Sequence, residues 1–159
     1  MKSLAFAMLF GATFPVGPAL AEVEAADVAT GPEQVWIEVI EGGEVMWVGP
    51  NEFERTQVLS APDIEIVARI TDADTVRLVG AKAFVAVIPA SHTCDDLSEP
   101  LQYFVVTLGA TLATDGPLTT CGPLKIAATA GAIQFERDPM GEGEFWAWLP
   151  GQGFKDRLK

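Results

Sequence analysis

Histidine occurs once in this chain, at His92, and cysteine twice, at Cys94 and Cys121. One imidazole is too few for the usual histidine-rich metal centres, and it leaves a single histidine to act as a general base. Positive charge is also scarce. There are 10 Lys and Arg against 22 Asp and Glu, a formal net charge of −12. Nucleic acid binding by phosphate neutralisation needs a basic face, so that class is excluded. An anionic membrane surface is disfavoured by the same sign. The chain has no phosphate-binding loop, no dinucleotide fingerprint and no G-x-S-x-G elbow. No apolar run after Phe14 escapes interruption by charged or turn residues, so none reaches the ~20 residues that span a bilayer. Repeats and low-complexity tracts are missing too.

The first residues follow a three-part export pattern. Lys2 supplies the positive charge, Leu4 to Phe14 the apolar stretch, and Pro15, Gly17 and Pro18 break any helix before Ala19-Leu20-Ala21. That A-x-A site predicts a signal peptide over 1–21, cut between Ala21 and Glu22, and a periplasmic or secreted protein. Residues 22–33 read as a flexible acidic leader and 34–159 as one β-rich domain. Losing Lys2 and no acid makes the mature chain one unit more negative. Stable membrane insertion is not expected after cleavage. Such a charge steers a cationic partner inward, and it also keeps many exported proteins soluble.

Beyond the leader the apolar pattern has a period of two, cut by turn residues, as strands require. VWIEVI (35–40) and VMWVG (45–49) flank Gly42-Gly43, a hairpin signal. RTQVLS (55–60) is a weaker strand. In IEIVARIT (64–71), Ile64, Ile66, Ala68 and Ile70 fall on one face, and TVRLVG (75–80) reads as its returning partner across the turn Asp72-Ala73-Asp74. KAFVAVI (82–88) is continuously apolar, as for a strand covered on both sides. LQYFVVTLG (101–109), PLKIAAT (123–129), AIQFER (132–137) and FWAWL (145–149) complete eight to ten short strands. No convincing amphipathic helix stands among them; 50–60 and 95–102 have room for a short one. FKDRLK (154–159) reads as a frayed basic terminus. The fold expected is an all-β, single-domain antiparallel sandwich or partly closed barrel with one disulfide.

SHTCDD (91–96) concentrates the titratable chemistry. An oxidising compartment favours a Cys94–Cys121 disulfide over a metal site, because ligation by Cys94 alone strands Cys121. The bond closes about 28 residues and contributes ~3–4 kcal/mol on the chain-entropy account. Asp95 or Asp96 then caps a turn. Ser91 and His92, as neighbours on an extended chain, face opposite ways, so no nucleophile is set beside the imidazole. The acid pairs Asp72/Asp74, Asp95/Asp96 and Glu142/Glu144 lie among turn residues and read as solvated. No catalytic residue, metal or cofactor is assigned.

The tryptophans are the other candidates. Trp36 and Trp47 sit across the first hairpin, and Trp146 and Trp148 share one face of FWAWL. Together they would make a binding platform, or they fill the core. Three function classes follow. First comes a non-enzymatic exported module that binds another protein, basic in charge, as an inhibitor, immunity or assembly factor. Second is a carrier of a small apolar ligand or lipid in an aromatic-lined site. Third is a hydrolase or metal-dependent enzyme centred on His92.

Overall fold

The computed structural model describes residues 34–95, 98–109, 111–137 and 143–156. The expected signal segment 1–21, the expected leader, Asp96, Glu142, Arg157 and Lys159 lie outside them. Among the described residues, eleven strands and one helix form in this order: β1 Gln34–Ile40, β2 Gly43–Gly49, β3 Thr56–Ala61, β4 Glu65–Ile70, α1 Ala73–Val79, β5 Lys82–Pro89, β6 Pro100–Leu108, β7 Ala113–Cys121, β8 Lys125–Thr129, β9 Ala132–Glu136, β10 Phe145–Leu149 and β11 Gly153–Asp156. They make three antiparallel sheets, ordered β1-β2-β3, β4-β5-β6-β7 and β11-β10-β9-β8. None closes into a barrel. The expected sandwich is present.

The middle sheet is covered on both faces. Ala83, Val85 and Val87 of β5 join Tyr103 and Val105 of β6 in a core shared with Ile133, Phe135 and Trp148 of the third sheet. Phe84 and Ala86 of β5 join Val106 and Leu108 in a second core with Met46, Val48 and Ala61 of the first sheet. Strand alternation divides one short run between two interiors. Each fully buried Val or Phe contributes ~1.5–3 kcal/mol of burial, so this run is the main anchor of the fold.

Several expectations are corrected. Residues 75–80 do not form a strand, and 64–80 is not a hairpin. α1 replaces them, and β4 pairs with β5 instead. The reason lies in the ends. Asp72 is the N-cap, its Oδ1 accepting from the Thr75 N–H at 3.0 Å. Gly80, at φ 86°, ends the helix in the left-handed conformation and donates to the Val76 carbonyl. Val76 and Val79 then share the face that packs inward, while Leu78 stays exposed. These end signals outweigh the β-favouring Thr75, Val76 and Val79.

Nor do the alternating residues of β4 share one face. A bulge between Ile66 and Ala68 pairs Ile66 with Ala86 and Ala68 with Val85. One extra residue rotates the strand. Ile66 therefore serves the first-sheet core, and Ala68 and Ile70 the third-sheet core. β7 is an edge strand, which tolerates Gly116 and Pro117. A side chain at Gly116 would meet Phe104 at 2.8 Å and the Tyr103 carbonyl at 2.9 Å, so glycine is required there. Lastly, Phe154 to Asp156 belong to β11 rather than to a frayed tail.

Candidate functional site

The first sheet carries the most unusual surface. A two-residue turn at Glu41-Gly42 sets the register of β1 on β2 and places Trp36 directly opposite Trp47. Met46 and Val48 point into the core, so Trp47, between them, projects from the opposite face. The Arg55 guanidinium lies 4.3 Å from the Trp47 ring centroid and donates to Glu38 Oε2 at 3.1 Å. Stacking and ion pair thus fix one cation over one indole. The Trp47 Nε1–H is buried and has no hydrogen-bond partner. An unmet buried donor is costly, which marks this as a place where an acceptor would be welcome.

Beside this pair runs a free edge. Among the described residues β1 pairs only with β2, so every second residue turns its N–H and C=O outward. β1 is also apolar on both faces and under-covered: Ile37 is 37%, Val39 78% and Ile40 46% exposed. Ile37 and Val39 lie on the core-facing side, Ile37 opposite the buried Met46, yet neither is itself buried. Phe53, in the β2–β3 turn at the opposite end of the sheet from Val39 and Ile40, is separately exposed at 89%. That turn is built by Asn51, whose Oδ1 accepts from the Phe53 and Glu54 N–H groups at 2.9 and 3.0 Å. Four of the six large exposed apolar residues among those described are on this sheet or its turn; Val67 and Leu78 are the others.

The four tryptophans do not share one surface. Trp148 is fully buried between the middle and third sheets, and its Nε1–H donates to Asp115 Oδ2 at 2.8 Å. Trp146 packs against the same core. The outward side of the third sheet carries Phe145, Ala147 and Leu149 instead. These floor an open groove of about 710 Å³ rimmed by Gln152 and Lys155.

SHTCDD is a disulfide anchor: Cys94 and Cys121 are bonded. His92 is exposed, and its Nε2 lies 3.6 Å from Cys94 Sγ and 3.4 Å from Cys121 Sγ. The neighbours of its Nε2 are thus the two disulfide sulfurs. Asp95 is exposed. Asp72 and Asp74 are not turn acids but helix-end groups; Asp74 pairs with Arg77. Hydrogen bonds from Thr75 hold the Asp72 carboxyl below the ordinary carboxylate range. Glu144 pairs with Arg137 at 3.1 Å.

A smaller cleft of about 270 Å³ is lined by Asp63, Glu65, Glu99 and Tyr103. Burial pushes the Tyr103 phenol above its ordinary value of 10.0; a bond donated by the Leu124 N–H opposes this, and the charge of Glu65 reinforces it. Sequence reasoning missed the β1 edge, although VWIEVI, apolar on both faces, carried the signal. No family model, curated protein or solved structure matches the chain.

Proposed function

We propose that this is an exported, non-enzymatic module that binds another protein through the first sheet. The observation that carries the reading is the edge of β1, apolar and, among the described residues, unpaired. Unpaired amides at a sheet edge are matched by an extended backbone, so the favoured occupant is a strand of the partner. Glu38 lies on β1 and Glu41 in its turn, in a chain of net charge −12, so the fitting strand alternates apolar residues with Lys or Arg. Trp36, Trp47 and Arg55 supply the residue types that dominate binding energy at interfaces. Export is supported by the leader pattern and by the disulfide. No helix among the described residues is long and apolar enough to cross a membrane.

The test is capture from an exported-protein extract on disulfide-intact chain 22–159, beside the Ile37→Lys/Val39→Lys double variant. Val39 is largely exposed but Ile37, opposite the buried Met46, is only 37% exposed, so far-UV circular dichroism first establishes that the variant is folded. A stoichiometric partner retained by wild type, released by salt and lost by the variant supports the reading once the purified pair reassembles. Equal capture by both proteins sinks it. A second reading, a small apolar ligand on the third sheet, is favoured by the Phe145–Leu149 groove. A lipid or other apolar molecule in the eluate, with no protein, would select it.

A further inference from the structure

We propose that Cys94, Cys121 and His92 form a redox-gated metal site, closed while the disulfide is intact and open to a Zn²⁺-like soft divalent ion after reduction. This is independent of the protein-binding reading. Among the described residues these three form the one group of potential ligands whose atoms lie within 4.8 Å of one another. Two thiolates and one imidazole are the donors that tetrahedral zinc prefers, with a fourth position left for water. The distances fit. Zn–S bonds near 2.3 Å and a Zn–N bond near 2.0–2.1 Å, set at the tetrahedral angle, hold nitrogen about 3.5 Å from each sulfur. His92 Nε2 already stands 3.4 and 3.6 Å from the two sulfurs. Only the sulfurs need to move apart, and breaking their bond frees them to do so.

The three ligand segments are held together by more than the disulfide. Cys121 ends β7 and is in register with Pro100 of β6. The Pro100 carbonyl accepts from the Ala90 N–H at 2.8 Å, which ties the start of the His92 loop to the same strand end. The Gly122 N–H donates to the Glu99 carbonyl at 2.8 Å, and Arg137 Nη2 donates to the Cys121 carbonyl. All of these backbone anchors survive reduction. Exposure of His92 gives an ion a route in.

The chemistry balances. A dithiol gives two electrons and two protons to the S–S bond, leaving two protein thiols and its own disulfide. The incoming divalent ion then displaces the two thiol protons and takes the neutral imidazole as third ligand.

The experiment reduces the purified chain with a phosphine, removes the reductant without oxygen, and titrates with Co²⁺ and then Zn²⁺. The result expected is one equivalent of Co²⁺, with thiolate-to-cobalt charge-transfer absorption, displaced by Zn²⁺. The oxidised chain gives no such band. His92→Ala, at an exposed position, keeps its fold and binds about tenfold more weakly or worse, by analogy with the 10–100-fold losses that follow removal of groups supporting a metal site. Far-UV circular dichroism is followed throughout. Absence of the band, equal affinity in His92→Ala, or a β-sheet signal lost on reduction and not recovered with metal would overturn the proposal.

Discussion

Replace Trp148 by Phe, and two contributions disappear together. Trp148 is 0% exposed, and its indole N–H donates to Asp115 across the gap between β10 and β7 at 2.8 Å. A hydrogen bond to a charged group contributes ~1.5–3 kcal/mol. Asp115 keeps some contact with solvent, so the lower half of that range applies. The missing ring atoms leave a void in a close-packed core, worth ~1 kcal/mol or more. The sum is about 2.5–3.5 kcal/mol, a large share of the 5–15 kcal/mol that holds an ordinary domain together. Asp115→Ala strands the indole N–H and costs ~1–3 kcal/mol. The double variant then loses less than the two singles added, with a coupling of ~1.5 kcal/mol. Urea unfolding of the four proteins, disulfide intact and followed by far-UV circular dichroism, measures all of this; indole fluorescence is unsuitable because the probe itself is removed. Coupling within ~0.5 kcal/mol of zero would show that the Trp148–Asp115 bond does not tie β7 to β10. A loss below ~1 kcal/mol for Trp148→Phe would remove Trp148 from the core altogether.

Two further outcomes follow from the geometry. Cys94→Ser and Cys121→Ser each lower unfolding stability by ~3–4 kcal/mol, and the double variant by no more than either single, since all three lose the same bond; an unchanged melting temperature would mean the bond is idle. Tyr103 is the sole tyrosine, so near-UV tyrosinate absorbance reports it alone. Its folded pKa is raised above 10.0, so the native state holds the phenolic proton more tightly than the unfolded chain does. The associated stability is complete below pH ~10 and falls as pH rises through the folded value. A titration midpoint at or below the unfolded value would contradict the burial of this phenol.

How far this was legible depends on what each residue pattern encodes. KAFVAVI announces a strand covered on both sides because two interiors demand apolar side chains on both faces, and Glu41-Gly42-Gly43 announces its hairpin because a tight turn fixes register locally. The cysteine pair followed from compartment and count. The bulge in β4 was invisible. IEIVARIT alternates without interruption, and only the middle sheet, with cores on both sides, makes the strand change faces at Val67. α1 was hidden by β-branched residues, although Asp72 and Gly80 were legible start and stop signals. For the site, the pairing of Trp36 with Trp47 could be read from the hairpin. The exposure of Ile37 and Val39 could not, because it depends on tertiary cover rather than on local pattern. Trp148 faces inward through a partner 33 positions away in sequence, at Asp115, which no local pattern reveals.

The three sheets also follow one another along the chain, and this gives the molecule a timetable. β1 to β3 emerge first from the ribosome, with Met46 and Val48 already aligned on one side and nothing to cover them. The strands that will cover them, β5 and β6, end at Leu108. At ~5–20 residues per second the first sheet waits several seconds with its apolar side and its free β1 edge both in water. A nascent chain in that interval is at its stickiest. Until the middle sheet arrives, residues 34–61 lack the strands that cover them in the finished fold.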